Sequence, residues 1–209
     1  MGAGYYLLTL VLHDQADDIA PCIAAYEARL AFEGLPDTPF HGVDLLHGHG
    51  RYETQDAATR KRLLVAFSMF VRTLPIKYKT FAYNSNDVVD AKDLRSRMRR
   101  DIVNFIFEHL SWFQGYDSVP IYYDGGHSAV TVALHEAFDY ALARDVAIYK
   151  ELSHETKRLA QAADYLCSIE LANVRYEAGD VSSTYERFYG NARKFKQNYL
   201  KQAKRKRID

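Results

Sequence analysis

Residues Ser118–Gly126 read SVPIYYDGG: β-branched and aromatic side chains bounded by a proline and a pair of glycines. That composition predicts a short buried strand over Val119–Tyr123, with Asp124 at its carboxyl end. A helical pattern begins a few residues later, at Ser128. In an open α/β sheet, ligands bind in the crevice outside the carboxyl ends of the strands. Asp124 would project there, and Gly125 and Gly126 would admit a ligand or another backbone at close range. The same aspartate also suits a simple cap on a turn or on the next helix. A second stretch forty residues on, Gln161–Leu171, favours the first role.

Length and composition bound the rest. A chain of 209 residues allows one sizeable domain with a full core. Hydrophobic residues make up 48% and charged residues 26%, the profile of an ordinary globular protein. Sixteen Tyr and eleven Phe argue against disorder. No apolar run approaches the roughly 20 residues that a membrane helix needs. The start, MGAGYYLLTLVLHD, has neither a basic region nor a small-residue cleavage site, and Tyr6 stands where myristoylation needs Ser or Thr. Cys22 and Cys167 each lie in a helical apolar pattern and read as reduced core thiols. These features predict a cytoplasmic protein without a membrane partner.

The zero net charge hides an asymmetry. From Asn191 to Asp209 there are eight Lys or Arg and one acid, which leaves a balance of −7 on the first 190 residues. A cationic tail on an acidic body suits nucleic acid, although a solvated C-terminus has the same composition.

In chain order, Tyr5–His13 is a continuous apolar run, predicted as a central strand because both of its faces are apolar. Asp17 or Asp18 starts a helix to about Glu33, stopped by Gly34-Leu35-Pro36-Asp37. A histidine-rich loop follows, then a helix over Ala57–Leu74 capped by Asp56. Ile76–Tyr83 alternates as a strand with one wet face. Asp87 or Asp90 opens a helix with basic first turns and an apolar second half. After the 119–123 strand come a helix over 128–143, a strand over 146–150, a buried helix over Lys157–Val174, and a last helix over Ser183–Lys204. Strands interleaved with helices predict an α/β domain whose sheet has at least four strands, some of them parallel.

The buried helix contains AQAADYLCSIEL, in which Gln161 and Asp164 share a face. An ionised carboxylate among alanines and leucines is costly unless it is paired, hydrogen-bonded or metal-bound. Ser168 or a nearby backbone N–H is one way to satisfy Asp164, and a metal is another. The loop His41-x-x-Asp44-x-x-His47-x-His49 permits a transition-metal site, a single His41 pointing into a cleft, or plain solvated loop histidines. There is no phosphate-binding glycine loop, no nucleophile elbow and no Cys-x-x-Cys, which leaves kinase, hydrolase-triad and redox readings without a basis.

The HGxDLLHGxG loop, the strand ending in YYDGG and the Gln-x-x-Asp helix occur in this order over residues 4–175. Together they resemble the bacterial family called domain of unknown function 3800. The resemblance implies a ribonuclease H-like mixed sheet flanked by helices over residues 1–176, followed by a C-terminal helix and basic tail over 177–209. It implies a metal-dependent nuclease with Asp124, Asp164, Gln161 and His41 in its site, and Mg or Mn held by Asp124 and Asp164. The family is also marked by an Asp-Glu pair on its first strand, and no such pair precedes Asp14 here. The expectation is therefore a chain without its natural first strand, with two carboxylates where three or four belong. An uncovered edge beside Tyr5–His13 would then favour a homodimer. The alternative is a catalytically incomplete member that serves as a nucleic-acid- or protein-binding regulatory subunit.

Overall fold

The structure is a computed structural model that describes residues 4–122, 128–142, 147–149 and 154–208. Its elements run β1 (Tyr5–His13), α1 (Ala20–Phe32), α2 (Gly42–His47), α3 (Ala57–Thr73), β2 (Ile76–Asn84), α4 (Ala91–Glu108), α5 (Leu110–Phe113) and β3 (Val119–Ile121). They continue with α6 (Ser128–Ala141), β4 (Ala147–Tyr149), α7 (His154–Ala178), α8 (Ser183–Tyr189), α9 (Ala192–Phe195), a π-helical turn over Lys196–Leu200, and α10 (Lys201–Lys204). The fold is mixed α/β and predominantly helical. Among the described residues, no helix is long and apolar enough to cross a membrane.

The chain forms two compact units, one from the described parts of Met1–Leu8 and Phe81–Thr156, the other from Thr9–Thr80 and Lys157–Asp209. In the first, β3 and β4 pair in parallel with Val119 opposite Ala147 and Ile121 opposite Tyr149, joined by α6 as the sequence predicted for a helical crossover. Asp90 caps α4 by accepting from Asp93 N at 2.8 Å. The basic first turns of α4 are tied by ion pairs such as Arg97–Asp93, and its second half buries Ile102, Phe105 and Ile106.

Among the described residues, the four strands pair as two separate two-stranded sheets, β1 with β2 and β3 with β4. Gly4 lies opposite Ser85 and Thr9 opposite Thr80, so β1 and β2 run antiparallel. The predicted central position of β1 is not found: eight of its nine residues are only half-buried. An apolar run demands cover, and Val11 finds it against the core of the second unit. Strand β2 has the predicted alternation, with Ile76 and Tyr78 buried and Lys77 exposed between them.

The core of the second unit joins α1, α3 and α7 to the C-terminal segment. Asp56 caps α3 by accepting from Thr59 N at 2.7 Å, and Leu63, Leu64, Phe67 and Phe70 form the buried stripe. The single helix predicted over Ser183–Lys204 is broken at Gly190, whose φ of 80° favours glycine, and Asn191 recaps the chain by accepting from Lys194 N. Cys22 and Cys167 are free, half-buried thiols, and burial pushes Cys167 up to about 11.

The basic C-terminus is not a detachable tail. Phe195, Tyr199, Leu200 and Ala203 are core residues, and the Phe195 ring stacks on Tyr176 at 4.7 Å. Beyond α10, the chain pairs with β2: Tyr78 N donates to Lys206 O at 3.0 Å, and Ile208 N donates to Tyr78 O at 2.9 Å. The buried Tyr78 hydroxyl donates to Glu170 on α7 at 2.7 Å, with the Arg207 guanidinium 3.6 Å from the same oxygen. The reading of residues 191–209 as a merely solvated C-terminus is therefore overturned, because Phe195, Tyr199, Leu200 and Ala203 of this mostly polar stretch are buried. Phe195→Ala should lower the unfolding free energy by about 3–5 kcal/mol. Urea denaturation followed by circular dichroism measures it, and an unchanged midpoint would remove Phe195 from the core.

Candidate functional site

Helix α7 presents Gln161, Asp164 and Ser168 at helical spacing on one side. What lies against them is the start of the histidine loop, 121 residues away in sequence. Phe40 N donates to Gln161 Oε1 at 3.3 Å, and Gly42 N donates to Asp164 Oδ2 at 2.9 Å. Between them His41 is extended, with φ −143° and ψ 112°. In an extended segment, alternate N–H groups face the same way, about 6.6 Å apart. Side chains three apart on a helix start from positions separated by about 4.5 Å of rise and splay outwards, so the two spacings match. The Gln-x-x-Asp motif thus reads the main chain on either side of His41.

The other edge of the loop is held by Tyr52. Its hydroxyl donates to Pro39 O at 3.0 Å, and its ring is buried. Burial pushes the Tyr52 hydroxyl up to about 12; the His41 N–H opposes this, while Asp164 and Asp44 nearby reinforce it. Gly42 must be glycine for a separate reason: a Cβ there would overlap Ser168 Oγ and stand 3.8 Å from Asp164 Oδ1. Phe40 plugs the loop into the core, stacked on Phe67 at 4.5 Å and edge-on to Tyr165 at 5.5 Å.

The segment predicted as a loop is helical over Gly42–His47, because both of its ends are satisfied. At its start, His41 Nδ1 lies 3.4 Å from Asp44 N and 3.2 Å from Asp44 Oδ2. A ring with its proton on Nε2 caps the helix, whereas a proton on Nδ1 faces the carboxylate. At its end, Arg60 Nη1 donates to the carbonyls of Leu45 at 2.7 Å and Leu46 at 3.0 Å.

One helical turn before Gln161 stands Arg158, whose side chain is only 4% exposed. It donates to Gln161 Oε1 at 3.2 Å, Glu27 Oε1 at 2.8 Å and Asp37 Oδ2 at 2.6 Å, and lies over the Tyr26 ring. Burial disfavours its charge, but the hydrogen bonds it donates to Asp37 and Glu27 outweigh this and raise its pKa. Neither Arg158 nor Tyr52 was singled out from the sequence. A lone arginine before a buried motif was the available signal for the first.

Of the four predicted site residues, Gln161 and Asp164 meet the main chain on either side of His41, whose own ring turns to Asp44, and Asp124 lies outside the described residues. The four loop residues considered as a transition-metal site do not converge: His41 pairs with Asp44, while the His47 and His49 rings stack on each other at 5.8 Å. Among the described residues, no group of three or more His, Cys, Asp or Glu is placed to hold an ion. Mg and Mn sites take oxygen donors and are typically built on one or two carboxylates. Asp164 is an oriented carboxylate with one oxygen fixed by Gly42 N–H, and the other carboxylate predicted as a ligand, Asp124, lies outside the described residues. No family model, no curated protein and no solved structure matches the chain.

Two substitutions test the docking. Asp164→Ala strips the Gly42 N–H of its partner and should cost about 1–3 kcal/mol, while Asp164→Asn keeps an acceptor and should cost less. Gly42→Ala should displace the loop through the overlap with Ser168. Hydrogen exchange at residues 40–48 should rise in Asp164→Ala and Gly42→Ala. Unchanged exchange in both would disprove the clamp.

Proposed function

We propose that the protein is a ribonuclease H-like, metal-dependent nuclease that hydrolyses phosphodiester bonds, with Asp164, Gln161, His41 and Asp124 at its centre. The observation that carries this reading is the meeting of two motifs, far apart in sequence, around His41. Asp164 is held in one orientation by Gly42 N–H, and Gln161 is fixed by the Phe40 N–H and Arg158. Such fixed side chains spend no free energy on reorganisation during a reaction. His41 is exposed, at 59% of its side-chain surface, with Nδ1 turned to Asp44. Its Nε2 is then the nitrogen that exchanges a proton with the attacking water or the leaving oxygen. Asp124 and Asp164 would hold Mg or Mn, which supplies charge stabilisation at the phosphoryl oxygens when bound.

A specific observation favours the second reading, a catalytically incomplete nucleic-acid- or protein-binding subunit. Gln161 Oε1 and Asp164 Oδ2 already accept from the main chain of the loop, which is a structural use of both. Purified protein incubated with Mg or Mn and labelled single- and double-stranded DNA and RNA separates the two. The nuclease reading expects chelator-sensitive cleavage, lowered about 10²–10⁴-fold in His41→Ala and abolished in Asp164→Asn. A folded protein that cleaves none of these substrates sinks the nuclease reading and leaves the binding subunit.

A further inference from the structure

The helical segment from Ala192 to Lys204 has two faces. Phe195, Tyr199, Leu200 and Ala203 are buried. Arg193, Lys196, Lys201, Lys204 and Arg205 are exposed. The π turn is what gathers these cations. In an α-helix, a residue five positions on is turned by about 140°, which would send Lys201 round the side from Lys196. Here Lys201 N donates to Lys196 O, an i to i+5 bond that widens the turn beyond the α-helical 3.6 residues and so swings Lys201 back towards Lys196. Lys196 and Lys201 therefore stand on the same side, and Lys204 and Arg205 follow a turn later. The same turn keeps Phe195, Tyr199 and Ala203 on the core side.

We propose that this stripe of Arg193, Lys196, Lys201 and Lys204 is a docking surface for the phosphate backbone of nucleic acid. It goes beyond the nuclease reading, since binding is measured apart from cleavage. Three features carry it. Among the described residues, these four side chains stand in no ion pair, unlike the basic turns of α4, whose arginines face Asp93, Asp101 and Glu136. The stripe is built on a segment fixed by the core and by the pairing of Lys206 and Ile208 with Tyr78, so little ordering is needed on binding. From Arg193 to Lys204 it extends about 16 Å, which spans about five phosphates of one strand at about 3.4 Å of rise each. A lipid surface is the poorer partner: none of the exposed large apolar side chains lies in this segment, which offers nothing to insert between lipids.

The test uses the full chain carrying Asp164→Asn, so that cleavage does not obscure binding. Fluorescence anisotropy with 20-nucleotide single-stranded DNA, RNA and duplex DNA is followed across a salt titration. The variant Arg193→Gln/Lys196→Gln/Lys201→Gln/Lys204→Gln should bind at least tenfold more weakly near 0.1 M salt. Its log K against log salt slope on duplex should be shallower by about 2–4, since each phosphate contact contributes about 0.9. A control removing the exposed charges of Arg51 and Lys157 should change binding much less, and thermal melts confirm that each variant folds. Equal loss in the control, an unchanged salt slope, or binding only to phosphatidylserine vesicles would each overturn the assignment. Binding that behaves as expected in a protein without cleavage activity would remove the nuclease reading alone.

Discussion

The second unit depends on one exchange of hydrogen bonds. A carboxylate and a carboxamide on a mostly apolar helix need donors, and an extended loop needs acceptors for its N–H groups. Gln161 and Asp164 meet Phe40 N and Gly42 N, so each side removes the other's desolvation penalty. From this follow the close approach that only Gly42 allows, the burial of Phe40 among Phe67 and Tyr165, and the outward turn of His41. An apolar pair at 161 and 164 would pack against the same alanines and leave the loop without an address.

Arg158 extends the same logic one turn along α7. A guanidinium this deeply buried is tolerable because two carboxylates and an amide oxygen surround it. Glu27 and Asp37 remain partly in water, so the cluster carries its negative charge where solvent reduces the cost. The arrangement links α1, the turn at Asp37 and α7 through one side chain. It also fixes which way Gln161 faces, since its Oε1 must accept from both Arg158 and Phe40.

The C-terminal segment solves a different problem with the same economy. A mostly cationic stretch cannot enter a core, yet one residue in every three or four can. The π turn keeps those residues in line and leaves the lysines outside. Tyr78 then anchors the end of the chain twice, with its main chain to Lys206 and Ile208 and with its hydroxyl to Glu170. Burial and the Glu170 carboxylate both push that hydroxyl well above its ordinary pKa, which keeps it a donor at any physiological pH.

Local patterns in the sequence determined most of the helices and their caps. Asp56 before an amphipathic run, Asp90 before a basic one and the stop after Phe32 are short-range chemistry, readable without a fold. The parallel pairing of β3 and β4 followed from the helix between them. The odd positions of Gln161 and Asp164 on a buried helix marked them as needing partners, and the loop around His41 was singled out independently. That these two stretches satisfy each other was decided only by tertiary structure, because a hydrogen bond across 121 residues leaves no periodic trace in the chain. The same holds for β1, whose apolar run announced burial but not what would cover it, and for the C-terminus. There, the charges dominated the composition, and the four buried residues that hold the segment were legible only once their partners on α7 and β2 were in place.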